Sequence, residues 1–235
     1  MKKKLINIFT NETEVSLETN YELTKLLIDR GYTVTGEYSH EAELIICIGG
    51  DGSFLETVHS CDFPKCPIVG INTGHLGFFQ EISPDNFRQF ISDYEKGAYS
   101  IQRLSTVSAE VKTYDGQSNS HLGLNEIVIK GRQSYAVHLY ICIDGRQIEK
   151  FSGDGILVAT SAGSTAYNYS LGGSIADPRL SLLQVTPIAP MHTTAYRSFP
   201  SSLLLPSDIS LGIVPDSEQT KIFIPNDRIP TGYSN

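Results

Sequence analysis

The chain has 235 residues with 40% hydrophobic and 19% charged side chains, which excludes disorder and leaves room for one large domain or two small ones. Its net charge of −8 argues against nucleic acid or an anionic membrane surface as the main partner, but not against phosphate substrates held by backbone N–H groups and a bridging metal. No apolar run approaches the ~18 residues of a membrane span, and the short Leu5–Phe9 stretch behind Met1-Lys2-Lys3-Lys4 is no signal peptide, so the expected location is the cytoplasm.

Lys4 to Thr10 reads as a strand, followed by a helix with Leu23, Leu26 and Leu27 on one face, Asn11 and Glu14 as its capping pair and Gly31 as its stop. Leu44 to Ile48 is a continuous apolar run, as expected of a buried parallel strand, and Pro67 to Ile71 is another. Ser83 to Gly97 reads as a helix, with Pro84 tolerated in its first turn. After Gly97 short β-rich runs take over: 101–114, 124–130, 135–143, 156–160, 202–205 and 209–214, with Asp115-Gly116 and Asp144-Gly145 as hairpin turns and one helical start near Ser164 to Ser170. The expected fold is an α/β, Rossmann-like N-terminal domain over 1–98 and an all-β, β-sandwich-like C-terminal domain over 99–235.

The four cysteines, Cys47, Cys61, Cys66 and Cys142, form no Cys-x-x-Cys pair and no zinc set, and read as structural thiols. No metal-ligating residues are singled out.

Gly49-Gly50-Asp51-Gly52 follows the most apolar strand and opens a helix, at the strand end where α/β folds bind ligands. Its three glycines allow backbone N–H groups to approach an anion, and Asp51 is the only charge in the turn. A carboxylate beside phosphate must accept a proton or share a metal, and both belong to phosphoryl transfer. Alone, the motif fits a helix cap equally well. Asn125-Glu126 interrupts an apolar strand: an amide and a carboxylate there suit a ribose diol or an adenine edge, while an edge strand with two solvent-facing residues fits as well. Gly153-Asp154-Gly155 precedes a strand that runs into Ser161-Ala162-Gly163-Ser164-Thr165-Ala166-Tyr167, a small-residue turn with N–H groups for a phosphate or ribose oxygen. A helix capped by Ser164 or Thr165, with Tyr167 in the core, is the plainer alternative.

Together with Gly70-Ile71-Asn72-Thr73-Gly74-His75-Leu76-Gly77-Phe78, these blocks in their order and spacing resemble the NAD kinase family from Gly49 to about Ala189. The resemblance implies transfer of the γ-phosphate of ATP, or of polyphosphate, to the 2′-hydroxyl of the adenosine ribose of NAD. It implies Asp51 as the general base with Gly52 in the same loop, and Phe78 against a ring. It further implies Asn125, Glu126, Ala162, Thr165, Ala166, Tyr167, Ser170 and Ala189 around the dinucleotide, and Asp154 reaching a neighbouring subunit's ligand. A magnesium ion on ATP and a homodimer or homotetramer belong to the same expectation. Departures from the family pattern are Ser152, where a basic residue is frequent, Ser53 in place of the commoner Thr, and a chain that ends at Asn235 soon after Pro225-Asn226-Asp227. Other Gly-Gly-Asp-Gly kinases and a non-catalytic NAD(P) sensor are the competing readings; a hydride-transferring dehydrogenase lacks its Gly-x-Gly-x-x-Gly after the first strand.

Overall fold

A computed structural model describes residues 4–75, 77–194, 197–217 and 222–224. Leu76 and the Pro225-Asn226-Asp227 turn lie outside the described residues. The chain divides into two compact units, the first reaching Ile101 and the second starting at Gln102.

In the first unit β1 (Leu5–Thr10), α1 (Glu14–Asp29), β2 (Thr33–Thr35), β3 (Leu44–Gly49), α2 (Asp51–Ser60), β4 (Ile68–Asn72) and α3 (Phe87–Glu95) follow one another. The strands form one parallel sheet in the order β2-β1-β3-β4. β3 is flanked on both sides and buried along its whole length, which is why its sequence runs apolar without alternation. Ile6, Ile8, Ile46, Ile48 and Ile71 meet Leu23 and Leu27 of α1 and Phe87 and Ile91 of α3 in one core. α2 buries Phe54, Leu55 and Val58, and its Thr57 hydroxyl donates to Cys47 Sγ of β3.

Two local expectations change. The cap of α1 is Thr13, whose hydroxyl accepts from Ser16 N, while Asn11 Oδ1 accepts from Thr13 itself, so Asn11 shapes the turn before the helix. Residues 84–86 form a 3-10 turn, and α3 proper begins at Phe87. Gly31 does end α1, with φ +86° beyond the reach of most side chains.

The second unit contains β5 (Val107–Lys112), β6 (Ser118–Gly123), β7 (Glu126–Gly131), β8 (Val137–Ile143), β9 (Arg146–Gly153), β10 (Gly155–Thr160), α4 (Tyr167–Ser170), β11 (Leu182–Ile188), β12 (Leu203–Pro206), β13 (Leu211–Pro215) and β14 (Ile222–Phe223). A five-stranded sheet ordered β12-β11-β10-β7-β14 and a three-stranded sheet ordered β13-β8-β9 are antiparallel throughout, and β5 pairs with β6. Their inner faces share a core of Ile127, Ile129, Leu139, Ile141, Phe151, Ile156, Val158 and Val185, the sandwich expected. β10 is buried on both faces, because Leu157 and Ala159 turn away from that core and pack with Val128, Ile188, Tyr167 and Leu171. Asp144 and Gly145 both take positive φ, +49° and +76°, and make the tight turn between β8 and β9.

β6, β9 and β11 are strands the periodicity does not announce. β11 carries Gln184 and Thr186 among its buried positions, where the Gln184 amide exchanges two hydrogen bonds with the backbone of Ser174. None of the described helices is long and apolar enough to cross a membrane.

Candidate functional site

In the first unit the chain leaves β3 at Gly49, caps α2 with Gly50 in extended conformation, and places Asp51 in the first helical turn. A carboxylate is favoured there by the helix dipole. Its two oxygens are held from outside the helix: Phe78 N donates to Oδ2 at 2.8 Å and Phe79 N donates to Oδ1 at 3.1 Å. Gly77 is glycine for a steric reason, since a Cβ there would come within 3.0 Å of both Asp51 oxygens. Each carboxylate oxygen has acceptor capacity for two hydrogen bonds, so a hydroxyl proton can still be taken.

The rest of the 72–80 segment is fastened to the same turn. Thr73 N donates to Gly49 O at 3.0 Å, Gly74 N to Asn72 Oδ1 at 3.0 Å, and Asn72 Nδ2 to His75 O at 3.1 Å. The buried amide of Gln80 donates to Gly50 O at 2.8 Å. Phe79 stacks on Phe54 of α2 at 5.0 Å between centroids, whereas Phe78 is 70% exposed. The structure therefore brings the first Gly-Asp-Gly and the Gly70–Phe78 block together on one carboxylate. Phe79 and Gln80 lie just beyond the Gly70–Phe78 block, and the sequence signal that points to them is the glycine at 77, next to backbone donors. Ser53 packs against Gly49 and accepts from Asn11 Nδ2 at 3.4 Å.

In the second unit Asn125 immediately precedes β7 and Glu126 opens it, β7 being an interior strand between β10 and β14. They are only 6% and 9% exposed, which overturns the edge-strand alternative. Asn125 O accepts from Thr160 N at 2.8 Å, and the Thr160 hydroxyl in turn accepts from Gly163 N at 3.0 Å. Gly163 lies so close to the Asn125 backbone that no Cβ fits. The Asn125–Glu126 pair and the turn carrying Ala162, Thr165, Ala166 and Tyr167 are thus one assembly. The expected helical start breaks into a 3-10 turn over Ala162–Thr165 and α4, with Ala166 at φ −86°, ψ −133° between them. Ser164 and Asn168 are buried and fix the loop beyond: the Ser164 hydroxyl accepts from Ala176 N, and Asn168 Nδ2 donates to Ser174 O. Ser170 is exposed at the end of α4.

Asp154 sits exposed between β9 and β10, its N–H on Ile188 O at 2.9 Å and its carbonyl accepting from Gly131 N at 3.2 Å. Gly153 lets the 188–189 carbonyls approach within 3.0 Å of where its Cβ would be, and Ala189 itself is left-handed at φ +44°. Asp154 and Ala189, 35 residues apart in sequence, are neighbours for this reason. Ser152 is fully buried: its hydroxyl meets His138 Nδ1 at 2.8 Å, and Ser198 Oγ both donates to its carbonyl and accepts from its N–H. The serine at this departure from the family pattern is a packed residue of the wall.

Burial pushes up the thiols of Cys47, Cys61 and Cys66, which keeps them protonated. Among the described residues no three His, Cys, Asp or Glu side chains gather as a metal cage.

Residues 37–99 match the model of the ATP-NAD kinase N-terminal domain and residues 124–227 that of the ATP-NAD kinase C-terminal domain. An NAD kinase of Finegoldia magna is 44% identical over 205 residues, covering 87% of this chain and 75% of that protein. An NAD kinase of Staphylococcus carnosus is 30% identical over 229 residues, covering 96% and 81%. Among solved structures, a yeast NADH kinase complexed with NADH superposes with a TM-score of 0.83 at 21% identity, over 98% of this chain and 75% of that one. An NAD kinase from Archaeoglobus fulgidus in complex with ATP gives 0.73 at 23% identity, over 95% and 84%; at these identities the likeness speaks for the fold.

Proposed function

The chain belongs to the NAD kinase family, and from that premise we propose how its own residues carry out the phosphoryl transfer from ATP to the 2′-hydroxyl of the adenosine ribose of NAD. The observation that carries the assignment of the base is the Asp51 carboxylate, set at a helix start and pinned by two backbone N–H groups. Pinning supports a base that is aligned before the hydroxyl arrives, which suits a reaction dominated by positioning and charge neutralisation. Asp51 takes the hydroxyl proton as the oxygen attacks the γ-phosphorus, and ADP departs. Gly52, in the first turn of α2, leaves the backbone there open to phosphate, and Phe78 offers an exposed ring.

In the second unit, Asn125 and Glu126 present a donor, an acceptor and a charge to the dinucleotide, with Ala162, Thr165, Ala166, Tyr167 and Ser170 along the adjoining turn. Asp154 and Ala189 form a separate exposed lip, which supports a role for Asp154 toward a second subunit in a homodimer or homotetramer. Magnesium in this reading travels on the triphosphate, where it neutralises developing charge; the single carboxylate of the first turn fits an ion held chiefly by phosphate. A cytoplasmic location completes the proposal.

Incubation with ATP, Mg²⁺ and NAD, followed by assay for NADP, tests the reaction directly. Failure to form NADP from NAD, or NADPH from NADH, with either ATP or polyphosphate as the phosphoryl donor would sink it.

A further inference from the structure

Lys130 is set apart from the other cations of the second unit by what surrounds it. It lies on β7 in register with Gly155 of β10, and its side chain is half-buried. Lys130 is absent from the ion pairs Arg30–Glu95, Arg88–Glu22, Lys112–Glu110, Lys150–Asp216 and Arg179–Asp177. Its ammonium instead lies 2.9 Å from the Tyr167 hydroxyl and 4.8 Å from the centroid of that ring. An ammonium withdrawn from water needs electron density from its neighbours, and here a phenol oxygen and its π system supply it.

This contact fixes more than a position. Lysine has three donors and no acceptor, so in this pair the Tyr167 oxygen must accept. The phenolic proton is then turned away from Lys130, and no described residue receives it. The ring is braced where it stands, because it packs against the cluster of Val128, Leu157, Ala159 and Ile188 behind the sheet. Tyr167 is therefore a phenol whose donor role is decided in advance, at the end of the turn that bears Thr165 and Ala166.

We infer that Lys130 is a positioning residue for the dinucleotide: by obliging the Tyr167 hydroxyl to accept, it commits the phenolic proton to an acceptor oxygen or nitrogen of the bound NAD. This rests on the reading of Tyr167 as a dinucleotide contact. The charge on Lys130 also strengthens the bond that Tyr167 donates, since hydrogen bonds in a chain polarise one another.

The test is a double-mutant cycle of Lys130→Met and Tyr167→Phe, with Lys130→Arg as the conservative variant. Each single variant is expected to raise KM for NAD about tenfold, equivalent to about 1.4 kcal/mol. Their combination should raise it no further, because both remove the same donated bond. In Lys130→Met, KM for ATP, kcat and the melting temperature should stay near the wild-type values, and Lys130→Arg should restore most of the NAD affinity.

Wild-type KM for NAD in Lys130→Met overturns the inference, as do effects that multiply in the double variant. A Lys130→Met protein that melts early and loses ATP and NAD together marks Lys130 as structural, and overturns it too. Calorimetric titration of NAD needs no turnover, so it measures the Lys130 contribution even if no NADP forms. A protein that binds NAD with the Lys130 dependence but makes no NADP would refute the proposed reaction and leave this inference standing.

Discussion

Replacing Asp51 with Asn removes a base and also disturbs a lock. The wild-type carboxylate accepts one N–H at each oxygen, from Phe78 at 2.8 Å and Phe79 at 3.1 Å. Asparagine keeps the shape and one acceptor oxygen, so one of these bonds survives, but its amide nitrogen then sets N–H against N–H. Leaving such a donor opposed costs about 1–3 kcal/mol, nearer the lower figure at a half-exposed position. In a domain of this size each kcal/mol lowers the melting temperature by about 4–8 °C. The chemical loss should be separate and larger in effect: kcat falls at least ~10², in line with loss of a general base, while KM for ATP and NAD changes little. NADP formation at saturating substrates, measured at several temperatures alongside a melting curve, separates the two. Near-normal kcat in the folded variant would refute Asp51 as the base, and a loss that vanishes on cooling would assign its effect to stability alone.

Gly77→Ala should lower turnover by about tenfold or more without touching any side chain of the reaction, because its Cβ displaces the Asp51 carboxylate; wild-type rates would mean the carboxylate's present position is unimportant. Asn125→Ala and Glu126→Ala should weaken NAD binding by calorimetry far more than ATP binding, with some loss of stability since both positions are buried; unchanged NAD affinity in both variants would refute their role. Mixing Asp154→Ala subunits with Asp51→Asn subunits should restore part of the activity that each lacks alone. Light scattering that finds a fully active monomer at nanomolar concentration would rule out the shared site.

The legible parts of this protein are those where one physical demand dominates a short segment. β3 is read at once because a strand covered on every side has no reason to alternate, and Gly31 and Asp144-Gly145 are read because only certain residues reach their backbone angles. β11 is hidden for the opposite reason: Gln184 and Thr186 look like loop residues until Ser174 and Asn168, 10 and 18 residues upstream, appear as their partners. The site was legible as blocks, though not as contacts. Nothing in Gly70–Phe78 says that its backbone closes on Asp51, and nothing in Ser152 says that it answers to His138 and Ser198. Such pairings depend on the sheet order that carries β4 beside β3 and β9 beside β8.

Among the described residues the grip on Asp51 comes from main-chain N–H groups, and this hides its two donors from side-chain mutagenesis. Truncating Phe78 or Phe79 to alanine removes a ring and leaves the donor in place, so a side-chain scan would record both residues as dispensable to the carboxylate. At 78 and 79 themselves the contact is cut by removing the nitrogen-bound hydrogen, through proline or an amide-to-ester exchange. For the same reason drift at these two positions can proceed without loosening the base. The trace that the grip leaves in the amino-acid sequence is the neighbouring glycine, which records the closeness of two backbones rather than any chemistry of its own.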